Sequence, residues 1–407
     1  MGPCPLALLL AALLLAACGG GDEGSRDTAA KRTPPALGGP AQDQEGGDEP
    51  RTTPTATPAA ALSFPALATK NTTRVDGADP IRTAAGVALA VFPSRSAATR
   101  PSAVSLVDAS DWRAAVSAAQ LMSRPLRAPV LLSEDGEVPA ATQAALERLR
   151  PTGARRAGRA ALLRVGRAPD VDGLRGRVLP GIGYAEQARQ IDRLHTAASG
   201  GRPTPAVLVA PAGRPDLAMA AAGYAAKTGT PVLWSRGKQV PAATVAAIRT
   251  RSRPRIYLLG PESAIPAMVE RRLARLGPVR RVPGRSGVAL SVAFARYRNA
   301  GFGWNATDPG HGFVFASMTQ PAVAAAAAPL SASGTYGPLL LLSDGTRLDR
   351  EVEGYLLDVQ PGYDSDPVRG VYNHGWVMGD ASAISVDVQA RIDALLEIQP
   401  VDPEASP

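Results

Sequence analysis

Cysteine is nearly absent from this 407-residue chain: Cys4 and Cys18 are the only two, both at the amino end. The body therefore has no disulfide, no cysteine nucleophile and no thiolate metal ligand, and its cores must hold by packing alone. Histidine is almost as scarce, with His195, His311 and His374 scattered along the sequence. A Ser-His-Asp apparatus thus has few places to stand. The motifs Gly-x-Ser-x-Gly, His-Glu-x-x-His and Gly-Lys-Ser/Thr do not occur. Gly181-Ile182-Gly183 is half a dinucleotide fingerprint, lacking the third glycine and the acid that should follow, and is set aside. These absences lead us to expect no enzyme, no cofactor and no metal. Lysine is rare too (Lys31, Lys70, Lys227 and Lys238), so the basic side of the composition is nearly all arginine. A sequence this rich in Ala, Gly and Pro accounts for that without a functional cause.

What is present begins with an apolar run, Leu6 to Ala17, too short to span a bilayer and of the length of a signal-peptide core. It ends in Leu15-Ala16-Ala17-Cys18, followed by three glycines. Small residues before a cysteine resemble the bacterial lipobox, although the stretch before the apolar run has no Lys or Arg. The resemblance implies that Cys18 is lipidated (palmitate among its acyl groups) and becomes the mature amino terminus. Residues 19–62 are Gly, Pro, Thr, Ala and acids with few large apolar side chains. Such a stretch buries too little surface to offset its ordering entropy, so it reads as a disordered tether holding the body about 35 Å from the membrane. It carries seven acids and four bases, a net of −3; against +8 for the whole chain, the body is left with +11. That charge favours an anionic partner, and export leaves nucleic acid the poorest candidate.

The body repeats itself. Ala103-Val104-Ser105-Leu106-Val107 is a short strand-like run, followed by an Ala-rich stretch and then Pro129-Val130-Leu131-Leu132-Ser133. Ala206 to Ala210 leads in the same way to Pro231-Val232-Leu233-Trp234-Ser235, and Gly312 to Ala316 leads to Pro338-Leu339-Leu340-Leu341-Leu342-Ser343. From the start of the strand to the proline the separations are 26, 25 and 26 residues. Ten residues after that proline, Pro139-Ala140-Ala141-Thr142 recurs as Pro241-Ala242-Ala243-Thr244. Third strands follow at 161–166, 256–260 and 375–379. Near-continuous apolar strands separated by helices predict a parallel sheet covered on both faces. The expected class is α/β, as three tandem doubly wound modules of Rossmann or flavodoxin-like type in a pseudo-threefold arrangement. The expected division is a signal peptide at 1–18, a tether at 19–62, modules at 63–178, 179–278 and 279–390, and a tail at 391–407.

These residues resemble the type 2 cell wall-binding repeat, which occurs in tandem threes in surface proteins of Gram-positive bacteria. Arg74-Val75-Asp76-Gly77-Ala78-Asp79 with Thr83-Ala84 resembles its opening motif, the Pro-led strand and Pro-Ala-Ala-Thr its central one, and the Gly-terminated third strand its closing one. The opening motif is reduced to Val178-Leu179-Pro180-Gly181 and Val282-Pro283-Gly284 in the later copies. Copy two alone keeps part of the family's Phe-Pro-Asp-Ala-Leu stretch, as Arg214-Pro215-Asp216-Leu217. The resemblance implies a non-catalytic module that holds anionic wall polymer in grooves between or beside the copies. It makes Arg74, Asp79 and Asp216 candidate contacts, although an Arg74–Asp79 pair fixing the first helix is the structural alternative.

Arginine crowds the two junctions, with Arg155, Arg156 and Arg159 at the first and Arg271 and Arg272 at the second. Clustered guanidinium forks match phosphate and carboxylate, although charge runs are commonly just solvated faces. The stretch Gly301-Phe302-Gly303-Trp304-Asn305 offers aromatics of an exposed appearance that could stack on sugars. Residues 360–373, with Tyr363, Asp364, Asp366 and Tyr372, read as an ordinary loop. The expectation is a monomeric lipoprotein on the outer face of the cell membrane, binding anionic wall polymer. Alternatives are a lipid-anchored solute-binding or sensory protein, or a scaffold that has lost polymer binding.

Overall fold

The computed structural model describes residues 67–401, so the signal peptide, Cys18 and the tether lie outside the described residues. Among the described residues no helix is long and apolar enough to cross a membrane.

Three sheets carry the fold. The first is built from β3 (Val104–Asp108), β4 (Val130–Ser133), β5 (Leu162–Val165) and β6 (Gly176–Leu179), all parallel, in the order β4-β3-β5-β6. The second repeats it with β7 (Ala206–Pro211), β8 (Val232–Ser235), β9 (Arg255–Leu259) and β10 (Val279–Val282), in the order β10-β9-β7-β8. The third has β11 (Gly312–Ser317), β12 (Leu339–Leu342) and β14 (His374–Met378), but its fourth strand comes from the other end of the chain. That strand is β2 (Thr72–Val75), which pairs parallel to β14 and carries β1 (Leu67–Ala68) antiparallel on its outer edge. The α/β class and the threefold repetition expected from sequence are both present.

The prolines hold register across the copies. Pro129, Pro231 and Pro338 each stand one residue before a buried strand, and each accepts at its carbonyl from the neighbouring strand, at Ser105, Leu208 and Val314. The Pro-Ala-Ala-Thr motif has a structural reading as well. Thr142 Oγ1 donates to Leu132 O at 2.6 Å and Thr244 Oγ1 to Trp234 O at 2.8 Å, so each threonine clasps the first turn of its helix to a buried strand. In copy three Asp349 takes over, accepting from the Ser343 amide at 2.8 Å.

The sheets do not coincide with the sequence copies. A boundary at 178/179 cuts β6 in two, and one at 278/279 gives β10 to the wrong sheet. The physical cause is chain length: only ten residues separate β5 from β6, enough to return to the neighbouring position in the same sheet and too few to found a new one. The helix that follows each edge strand then crosses to the next sheet. These are α1 (Pro80–Val91), α4 (Tyr184–Ala198) and α9 (Gly287–Arg296), packed respectively against β4, β8 and β12. Each copy is therefore shared between two sheets, and β2 closes the ring. Residues 391–400, expected as tail, instead finish a helix (Val386–Leu396) and form β15 (Gln399–Pro400), which pairs with β13 (Gly362–Tyr363).

At the centre the Ala-rich helices of the three copies meet. These are α2 (Trp112–Ala118, extended by a 3-10 turn to Met122), α6 (Ala221–Thr228) and α10 (Ala322–Ser331), each packed against the other two. Every residue of α10 is buried. A helix that is apolar all round belongs in a core, and alanine lets three such helices approach closely.

Candidate functional site

The convergence that makes the core also makes a cleft. Where α2, α6 and α10 run out, the turns beyond them leave a cavity of about 450 Å³. Its cations are Arg124 and Arg127 from the first copy and Lys227 from the second; the first two are exposed and the third half-buried. Ser123, Thr228 and Ser333 supply hydroxyls, and no carboxylate lines the cavity. Among the described residues none of the three cations has a salt bridge, although Lys227 lies against the ring of Tyr336. Burial pushes the Lys227 ammonium pKa down. Ser333 and Gly334 are a common wall with a second cavity of about 540 Å³, where Trp376 and His374 of β14 face Thr73 of β2 and Val91 of α1. The pair of cavities offers convergent positive charge beside a half-buried indole, which is chemistry suited to an anionic saccharide.

Sequence reasoning missed Arg124, Arg127 and Lys227. The available signal was weak: a basic residue shortly before the proline-led strand in copies one and two, Arg127 in a loop and Lys227 in the last turn of α6, about 100 positions apart. Only the packing of the copies brings those segments together.

The residues singled out from sequence are dispersed. Arg74 is 3 % exposed and turned inward, donating from Nε to Gln389 Oε1 at 2.9 Å and from one amino group to the carbonyls of Gly379 and Asp380 at 2.8 Å. It locks β2 to the last copy and is not available to a polymer. Asp79 does not pair with it but caps α1, accepting from the Arg82 amide at 2.9 Å. Asp216 is held by Arg214 through two bonds at 2.9 and 2.7 Å. Arg155, Arg156 and Arg159 are exposed on a short turn, and Arg156 donates to Ala198 O at 2.9 Å, ending α4. Arg271 and Arg272 are exposed on the helix Ala267–Ala274, where Arg272 shares a shallow depression with Arg249. No described cavity contains residues of both arginine clusters.

The aromatics at 302 and 304 are also corrected. Phe302 is buried and stacks on Tyr257 at 3.5 Å between ring centroids, with Tyr224, Phe294 and Tyr297 around it, while Trp304 meets Tyr224 edge-on. The flanking glycines gave this segment a loop-like look, but its rings form a wedge between copies two and three. The loop at 360–373 holds no group of metal-binding residues, nor does any other part of the described residues.

Ser123 Oγ lies 2.8 Å from His195 Nε2, the spacing of a nucleophile and its base. Asp192, the nearby carboxylate, is bound at both oxygens by Arg251, at 2.7 and 2.8 Å. Burial is the first cause lowering the pKa of all three histidines. Their neutral form is favoured in the fold and their protonated form on unfolding, so stability is full above about pH 6.5 and declines as pH falls through that value. We predict that the melting temperature drops between pH 7.5 and 5.5 and that His195→Asn shrinks the drop; an unchanged slope in that variant would remove His195 from the account.

No family model matches the sequence, that of the wall-binding repeat included, and no curated protein matches it. Solved structures do. Cwp8 from Clostridium difficile superposes with a TM-score of 0.62 at 16% identity, covering 83% of this chain and 54% of its own; Cwp6 from the same organism gives 0.61 at 15%, covering 80% and 48%. This chain thus spans about half the length of those two cell wall proteins, and what it has in common with them is the fold.

Proposed function

We propose that the protein is a non-catalytic envelope lipoprotein, anchored through Cys18, that holds an anionic wall polymer by the cleft at the centre of its three copies. The observation carrying this reading is that Arg124, Arg127 and Lys227 converge there, with no carboxylate among the lining residues. The likeness in fold to two cell wall proteins and the net charge of +11 on the body support it. A phosphate or carboxylate of the polymer would meet the cations, and a sugar ring would lie against Trp376. Exposed charges act over about 10 Å at 0.1 M salt and about 3 Å at 1 M. We expect retention of the full-length chain by purified cell walls to fall steeply over that range, and to fall again when the walls are stripped of their secondary polymers. Arg124→Ser/Arg127→Ser/Lys227→Ser should abolish most retention at 0.1 M. Arg155→Ser/Arg156→Ser/Arg159→Ser should cost less, since those side chains lie outside the central cleft. Retention unchanged in the first triple variant and at high salt would defeat the reading, and no retention at all would favour a scaffold.

A further inference from the structure

The largest of the described cavities, about 860 Å³, lies elsewhere, over the carboxyl edge of the first sheet. In the order β4-β3-β5-β6 the chain leaves β3 toward one side and later returns to the other, so the crevice between β3 and β5 is the sheet's switch point, the usual ligand position in open parallel sheets. Its walls are polarised. Asp108, the last residue of β3, Asp111, beyond it, and Asp135, beyond β4, occupy one half. Arg167, beyond β5, and the turn Gly181-Ile182-Gly183, beyond β6, occupy the other. That turn opens the 15-residue α4, whose first amides receive no side-chain cap and point positive dipole into the cleft. Asp135 and Arg167 engage no salt bridge among the described residues.

A second observation points to a ligand. Gln187, which lines the cleft, is 7 % exposed, and its Oε1 is buried without any donor. An unmet buried amide oxygen costs about 1–3 kcal/mol, so its retention calls for a reason. The other copies carry no such group at this place. Gly77, Gly181 and Gly284 close against the backbones of Thr83, Gln187 and Leu290, which makes those three residues equivalent. Thr83 bonds to Asp79 O, and Leu290 is fully buried. The crevices differ likewise: Gly260 in the second sheet is filled against by Leu217 and Gly379 in the third by Ala383, whereas Gly166 in the first meets only the Gln187 amide.

We propose that this cleft binds a small zwitterion of amino-acid or short-peptide size. Its ammonium lies on the Asp135 side, its carboxylate toward Arg167 and the α4 amides, and the Gln187 amide, unpartnered at its oxygen, lines the cleft beside it. Three carboxylates make the cleft unsuited to the polyanion assigned to the central cleft. Its charged halves lie between one strand spacing, about 5 Å, and three, about 14 Å, apart. At about 3.3–3.6 Å per residue, that range admits the termini of a di- or tripeptide.

Calorimetric titration of the full-length chain tests this with three probes: alanyl-alanine, its N-acetyl form and its C-terminal amide. The free dipeptide should bind saturably, and blocking either end should weaken binding by about tenfold or more. Arg167→Ala should erase the preference for acid over amide, and Asp135→Asn the preference for amine over acetyl, with melting temperatures unchanged because both side chains are exposed. No saturable binding of the free dipeptide overturns the proposal. So does equal binding of the acetylated form, which would mark a plain anion site, or of the amide, which would mark a cation site.

Discussion

Replacing Arg251 by methionine is expected to destabilise the protein by about 3–5 kcal/mol, because it leaves the Asp192 carboxylate charged and without its partner in the interior. Both side chains are only 3% exposed. The guanidinium grips the carboxylate with two bonds and also holds the Thr204 carbonyl at 2.9 Å through Nε. The site is a seam. Asp192 belongs to α4, which crosses from the first sheet to the second; Arg251 follows the helix Ala242–Arg249 of copy two; and Gln120, from the turn that extends α2, donates to both Asp192 Oδ1 and Gly229 O. Asp192→Asn should cost a comparable amount for the converse reason. The double change Asp192→Leu/Arg251→Met should recover most of the loss, since removing both charges spares their desolvation. Urea unfolding of the three variants would measure this. A double variant as unstable as the sum of the singles would mean that shape, and not charge, decides the seam.

How much of this could be read in advance depends on what kind of information each residue carries. Strand runs such as Leu339–Leu342 and the Ala-rich helices announce themselves, since burial on all sides demands apolar side chains throughout. The prolines at 129, 231 and 338 are legible for the same reason, as they sit at one fixed distance from a buried strand. The edge strand β6, by contrast, is Gly176-Arg177-Val178-Leu179, exposed except at its last residue, so nothing in its composition says which sheet it joins. That question is settled by the length of the connection and by what remains for β2 to pair with. The site was less legible still. Arg74 stands in a motif and resembles a ligand contact, yet it is buried and its Nε and one amino group are bonded to the last copy. Arg124 and Lys227 stand in no motif, and become neighbours only because equivalent helices end around one centre.

The ring of shared strands leads to the expectation with the largest effect. A polypeptide of residues 179–278, the middle copy cut at its sequence boundaries, should not fold. It retains β7, β8 and β9 but lacks β10, which lies at 279–282 and pairs with β9 along its whole length. It retains α6, but that helix packs against α2 and α10 of the other copies, and Ala221 to Ala226 are buried largely by them. It also loses Gln120, leaving the Asp192–Arg251 pair open on one side. A sheet missing one edge and a helix face stripped of both neighbours leave too little buried surface to offset the chain entropy of about 100 residues, roughly 1–2 kcal/mol each for the backbone alone. Residues 67–401 should instead unfold in one cooperative step, because no sheet can be released without taking a strand or helix from the next. Circular dichroism and thermal melting of the two polypeptides decide the matter. A middle copy that melts cooperatively by itself would show that the sharing of strands is ornamental. One that stays unfolded, beside a body with a single transition, would show that the three copies are one structure written three times along the chain.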